Sequence, residues 1–298
     1  MDISSRLEKT ARAVQMACLL EAASEKPGNV TPTRGFDDLD FTSFLLSSSI
    51  LGDIFRRHAA KPVGIIIQEA VRESIKATGT NAHLGVILLL APLASSFCKL
   101  GSLSRKAVST TLAALTKKDA ELTYKAIRSA KPGGLGKAPR QDVRKKPDVT
   151  LKEAMRLAAD RDWIAHEYTT GFTITFSLGS MEMEENIEAG LPIREAVVQT
   201  FLGIMSHYPD SLISRKNEPE MALRASEEAG RILRLGGMFS PRGRKAVYEF
   251  DQAMRIGSNL LNPGTTADLT AAALFVYFMR HGYGALKGRK GIPWARES

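Results

Sequence analysis

The sequence predicts an all-α protein of about ten to twelve helices in one globular domain, with little or no sheet. Three observations predict it. Alanine and leucine are abundant while aromatics are only 7% of the 298 residues, a mix that favours helices over sheets. Apolar residues recur at helical spacing through most of the chain. Glycines, prolines and capping residues punctuate those stretches where helices would start and stop. Hydrophobic residues at 44% and charged residues at 24% suit a soluble domain with a real core. The expected layout is one domain over residues 1–281, an irregular Gly/Lys linker at 131–149, and a basic, partly mobile tail at 282–298.

Each element has its own signal. Residues 3–25 put Leu7, Ala11, Val14, Cys18 and Ala22 on one helical stripe. Two further helices, 41–60 and 63–77, are parted by Lys61-Pro62. Residues 84–100 are apolar nearly all round, which predicts a central, buried helix. The apolar run there contains Pro92 and is too short for a bilayer, which needs about 20 residues. Helices follow at 105–115 and 118–130. Lys131-Pro132-Gly133-Gly134-Leu135-Gly136-Lys137 then opens the long irregular stretch. Thr150, with Glu153 three residues on, forms a capping box, and its helix is expected to reach about Thr170. Phe172-Thr173-Ile174-Thr175-Phe176 has strand propensity but no neighbour to pair with, so it reads as helical. Pro192 opens a helix to near Tyr208; 218–235 is helical; Ser240-Pro241 opens another to about Gly257. The last helix is expected at 267–281, capped by Thr266 with Asp268 in its first turn.

Charge and cysteines narrow the function classes. Lys plus Arg number 41 against 32 Asp plus Glu, a net charge of +9, which attracts anions such as phosphorylated small molecules or nucleic acid. The densest basic patches are 137–146 and 287–296. Low aromatic content and the lack of a basic, base-reading helix speak against a nucleic-acid binder. Cys18 and Cys98 sit in apolar helical contexts and read as buried thiols, with no zinc spacing and no disulfide framework. The N-terminus lacks the charged-then-apolar order of a signal peptide, and a cytoplasmic protein is expected.

Four polar islands stand at the breaks between helices. The first is Lys26-Pro27-Gly28-Asn29-Val30, where a helix stop sets an ammonium and an amide beside the last carbonyls. The second is Gly79-Thr80-Asn81-Ala82-His83-Leu84-Gly85, before the most apolar helix; Thr80 or Asn81 would cap it, and His83 could serve a phosphate or a proton. The third runs from Asp210 to Arg215 and Lys216, with Asp210 equally suited to an N-cap. The fourth is Asn262-Pro263-Gly264-Thr265-Thr266-Ala267-Asp268. The glycines at 133, 134 and 136 between two lysines suit phosphate, but the Gly-Lys-Ser/Thr ending and preceding strand of a P-loop are missing. Together the islands bring acids, amides and cations to helix ends that could share one cleft.

These islands, in this order, resemble the motifs of the triphosphoribosyl-dephospho-coenzyme A synthases, over about residues 10–280. Lys26-Pro27-Gly28-Asn29-Val30 is similar to that family's Lys-Pro-Gly-Asn/Leu-Val turn, and the segments at 79–85 and 262–269 to its Asn-His-Gly and Asn-Pro-Gly-Ala-Asp-Leu segments. Asp210-Ser211-Leu212-Ile213-Ser214-Arg215-Lys216 and Gly134-Leu135-Gly136-Lys137 resemble an uncharacterised branch. The middle of the chain departs from the enzymes of citrate lyase and malonate decarboxylase maturation, which carry a longer Gly- and Arg-rich segment there. The resemblance implies an all-helical transferase in which ATP, with Mg²⁺, is the ribosyl donor and 3′-dephospho-CoA the acceptor, adenine being released. It implies carboxylate or Mg²⁺ roles for Asp210 and Asp268, and a proton donor in His83. Phosphate would be held by Lys26, Arg215 and Lys216, and sugar or base by Asn29, Asn81 and Asn262. Gly28, Gly85 and Gly264 would allow close backbone approach, with Thr266 beside the nucleotide. The competing readings are a ribosyl transferase or glycohydrolase with another phosphorylated acceptor, and a non-enzymatic helical binding protein.

Overall fold

The first helix, α1 (Ile3–Ala23), starts where Asp2 accepts a hydrogen bond from the Ser5 amide, and buries its Ala11, Val14 and Cys18 stripe. The computed structural model describes residues 1–287 apart from Asp38 and Ser258. α1 packs along α2 (Phe41–His58), which packs on α3 (Val63–Thr78). α4 (Leu84–Leu100) and α14 (Gly264–His281) are buried around most of their circumference and pack on each other and on α1. They form the centre of the main core. α5 (Arg105–Ala113) and α6 (Lys117–Ala130) flank it, α6 closing on α3 through a Thr116/Asp119 capping box whose carboxylate also takes the Gly64 amide at 2.8 Å. A second, smaller core lies between α10 (Ile193–His207), α12 (Pro219–Arg234) and α13 (Pro241–Met254).

Among the described residues there are fourteen α-helices and no strand, only two isolated bridges in the loop after α1 (Thr31 with Arg34, Phe36 with Leu39). The all-α expectation holds, with more helices than expected because three short ones escape a periodicity reading. The expected single helix at 150–170 is two: α7 (Leu151–Arg156) and α8 (Trp163–Thr170). The break is set by Asp162, whose side chain caps α8 through the Ile164 and Ala165 amides. α9 (Ser180–Glu188) and α11 (Ser211–Lys216) are too short to show a stripe. Thr173 to Phe176 is helical as expected, running into a π-turn at Thr175–Gly179, but Phe172 is a bend at φ +63° rather than helix. There the buried Glu167 carboxylate takes the Ile174 and Thr175 amides at 2.7 and 3.0 Å.

α14 begins three residues earlier than expected. Thr266 is therefore not a cap, and Asp268 lies in the second turn. Pro92 inside α4 cannot donate to the Leu88 carbonyl, and the Tyr168 hydroxyl of α8 does so instead at 2.6 Å. The irregular stretch between α6 and α7 is present, and Cys18 and Cys98 are buried free thiols. Among the described residues no single helix is long and apolar enough to cross a membrane. The expected mobile tail falls mostly on residues 288–298, outside the described residues.

Candidate active site

A cavity of about 830 Å³ opens where the starts of α4, α8 and α14 meet the end of α1 and the loop between α6 and α7. Of the residues singled out from sequence, Asn29, Asn81, His83, Gly85, Arg215, Lys216, Asn262, Gly264 and Asp268 line it. Lys26, Gly28, Asp210 and Thr266 do not, and each has a physical reason.

Lys26 is 1% exposed. Its side chain folds back over the end of α1, pairs with Glu21 Oε1 at 3.0 Å and donates to the Glu21 and Ser24 carbonyls. It neutralises the helix end and anchors Glu21, whose side chain reaches the cavity wall. Gly28, at φ +70°, gives its amide to Asp251 Oδ1 at 2.9 Å. Asp251 also pairs with Arg34 and Arg255, and Arg255 donates to the Asn29 carbonyl. α13 thereby fixes the turn that presents Asn29.

Asp210 is fully buried and both its oxygens are spent. Oδ1 caps α11 through the Leu212 and Ile213 amides; Oδ2 takes the Thr266 amide at 2.7 Å and hydroxyl at 2.8 Å. Burial raises its carboxyl above the usual range, against the pull of these donors. It is the joint between α11 and α14, not a ligand-facing acid, and Thr266 is its partner.

Asp268 is the carboxylate that faces the cavity with no hydrogen bond or ion pair among the described residues. A Cβ on Gly85 would lie 1.9 Å from Asp268 Oδ2, so any larger residue there would push this carboxylate out of its place. Desolvation, then the charges of Glu21, Asp210 and Asp162, hold the Asp268 carboxyl well above its usual value, with Arg215 opposing. A carboxyl poised in this way suits general acid–base work.

His83 is 2% exposed, at the start of α4. Its Nδ1 is 2.8 Å from Ser47 Oγ, which is 2.7 Å from Ser74 Oγ, while Nε2 has no partner among the described residues. Burial, with the Lys26 charge adding to it, pushes its pKa down to about 3. A ring held neutral in this way offers a hydrogen bond from a neutral imidazole. Asn262 Oδ1 is a second buried polar atom of the wall without a partner. Asn81 caps α4 through the Leu84 amide at 3.1 Å.

Two of the three expected cations line the cavity, each with partners of its own. Arg215 is paired with Asp162, and Lys216 donates to the Asn259 carbonyl at 3.0 Å. Sequence reading missed Glu21 and Asp162. Glu21 had a signal, a carboxylate three positions beyond Cys18 on a stripe that otherwise buries apolar residues; Asp162 had one in its place before Trp163, as an N-cap. Among the described residues no three His, Cys, Asp or Glu side chains gather to hold a metal ion.

The fold and the cavity define an all-helical enzyme whose cleft carries a poised acid and unsatisfied polar groups at helix starts. Residues 7–286 match the family described as CitG: ATP:dephospho-CoA triphosphoribosyl transferase, and the chain belongs to that family. It is similar to the 2-(5''-triphosphoribosyl)-3'-dephosphocoenzyme-A synthase of Pectobacterium atrosepticum, 26% identical over 297 residues covering 93% of this chain and 89% of that one. It is also similar to a crystal structure from Archaeoglobus fulgidus described as a candidate triphosphoribosyl-dephospho-CoA synthase. There the TM-score is 0.59 at 26% identity, covering 83% of this chain and 99% of that one.

Proposed function

We propose that this protein transfers the 5-triphosphoribosyl group of ATP to the 2′-hydroxyl of 3′-dephospho-CoA and releases adenine. The observation that carries the reading is the unpartnered Asp268 carboxylate held against Gly85 in the cavity, each in a segment that resembles a family motif. In the reaction the acceptor oxygen bonds to C1′ of the ATP ribose as the C1′–N9 bond breaks. The bonding pair leaves with adenine, the acceptor proton passes to a base, and adenine gains a proton.

Cleavage of this bond builds positive charge at C1′, which a carboxylate stabilises. Asp268 takes that role, together with acceptance of the 2′-hydroxyl proton, a contribution of about 10²–10⁴-fold. His83 Nε2, whose ring is held through Ser47, hydrogen-bonds to the departing base. Asn29, Asn81 and Asn262 orient sugar and base. Arg215, tied to Asp162, gives the triphosphate a fixed positive edge, with Lys216 beside it. Gly264 leaves room for backbone approach.

Mg²⁺ usually takes only one or two carboxylates together with phosphate oxygens and water. Asp268 and the Glu21 oxygen not paired with Lys26 fit that donor set; Asp210, with both oxygens spent, does not. When bound, the ion would supply charge neutralisation to the triphosphate. Buried free thiols at Cys18 and Cys98 suit a cytoplasmic setting.

The test incubates the protein with ATP and Mg²⁺, with and without dephospho-CoA, and follows adenine by chromatography. Adenine that forms only with dephospho-CoA is the expected result. Adenine formed equally without it would make the protein a glycohydrolase, and none in either arm would end the proposal.

A further inference from the structure

One part of the cavity lining comes from the α6–α7 loop, α6, α7 and the turn before α8. Lys131, Arg140 and Arg161 belong to it, and among the described residues none has a carboxylate partner. Arg161 makes one bond, to the Leu157 carbonyl at 3.0 Å. Arg215, which also lines the cavity and lies against this loop, is ion-paired with Asp162. The same elements add the apolar Ile127, Leu135, Leu151 and Met155 to the lining.

The loop is held in shape. Lys131 and Gln141 both take positive φ, 45° and 51°, a strained conformation for residues other than glycine. The Tyr124 hydroxyl donates to the Gln141 carbonyl at 2.7 Å and Arg128 to the Val143 carbonyl at 2.5 Å. Asp142 takes the Ala138 amide at 3.0 Å. At its other side Gly134, at φ +67°, lies against Arg215, where an added Cβ would come within 3.1 Å of the Arg215 Cβ. The loop thus connects its own basic and apolar part of the lining to the Asp162–Arg215 pair. A cavity of about 830 Å³ is near the top of the range of about 300–1,000 Å³ usual for one drug-sized ligand.

We infer that this part of the lining is the acceptor subsite. Lys131, Arg140 and Arg161 bind the diphosphate of a nucleotide, and the wall of Ile127, Leu135, Leu151 and Met155 takes the extended, weakly polar arm attached to it. This assignment rests on the transferase reading for the name of the acceptor, dephospho-CoA, but the subsite can be measured without turnover. The triphosphate of the donor ATP is the other source of phosphate; the arms of the test separate the two.

Arg140→Ala/Arg161→Ala and Met155→Ala variants would be compared with wild type by calorimetric titration with three probes: dephospho-CoA, ADP and ATP. Melting curves confirm that each variant is folded, which exposed arginines make straightforward. The double arginine variant is expected to weaken dephospho-CoA binding by at least about 10-fold and ATP binding by less than about 2-fold. Met155→Ala is expected to weaken dephospho-CoA several-fold while leaving ADP, which has no arm, unchanged. Loss of ATP affinity with dephospho-CoA unaffected would overturn the inference and assign the cations to the donor triphosphate. Unchanged binding of all three probes would overturn it too. If adenine release fails in wild type while these binding shifts appear, the transferase reading falls and the subsite stands.

Discussion

Gly85→Ala tests the site at its tightest point. The added methyl would lie 1.9 Å from Asp268 Oδ2, 2.4 Å from Asp268 Cγ and 2.8 Å from Ile164 Cδ1. Ordinary contact begins near 3.4 Å, so the carboxylate must retreat by about 1.5 Å. Displacement of a reacting group by about 1 Å can cost roughly 10²-fold in rate, or about 2.7 kcal/mol. The effect on folding is much smaller. Overpacking costs about 1–3 kcal/mol, and alanine in place of glycine in a helix returns up to about 1 kcal/mol. The variant should therefore fold, melt within several degrees of wild type, and release adenine at least about 10²-fold more slowly. The assay is adenine release at saturating ATP and dephospho-CoA, repeated in an Asp268→Asn background. If the methyl acts by displacing Asp268, it should cost little more once that carboxylate is gone, because coupled residues are not additive. Near-normal turnover in Gly85→Ala, or independent losses that multiply in the double variant, would refute the reasoning.

Three further outcomes follow from the buried acids. Asp268→Asn should lose adenine release yet melt higher than wild type at pH 7. The raised carboxyl makes ionisation costly in the folded chain above the ordinary carboxylate range, so the gain should vanish below about pH 4. Asp210→Ala should lose roughly 3–5 kcal/mol, read as a fall in Tm of roughly 10 °C, by leaving the Ile213 and Thr266 amides without an acceptor; an unchanged Tm would mean Asp210 is not the joint between α11 and α14. Burial raises Glu167 from 4.5 to about 7, so wild-type stability should decline as pH rises through that window, by on the order of 3 kcal/mol. Glu167→Gln should flatten that decline between pH 5 and 7 in denaturant titrations, and an equal slope in both proteins would contradict the assignment.

The helical class and most helix positions were legible because a buried stripe leaves a periodic trace in sequence. The short helices α9 and α11 and the break at Asp162 were not, because one or two turns are too few to show a period. The polar islands were legible as a set, and nine of the site residues singled out in them line one cavity. Which way each faces was not. Lys26 and Asn29 lie three residues apart in one turn, and only Asn29 reaches the cavity. Asp210 and Asp268 look equivalent as acids, yet one spends both oxygens on helix starts and the other, among the described residues, spends none.

The sequence by itself determined the all-helical fold, the family and the segments that form the site, since these depend on patterns along the chain. Only the tertiary structure decided which acid is available and which cations are unpaired. Those properties depend on neighbours distant in sequence, such as Asp162 on Arg215, Thr266 on Asp210, and Gly85 against Asp268, which among the described residues has no hydrogen-bonding or ionic partner.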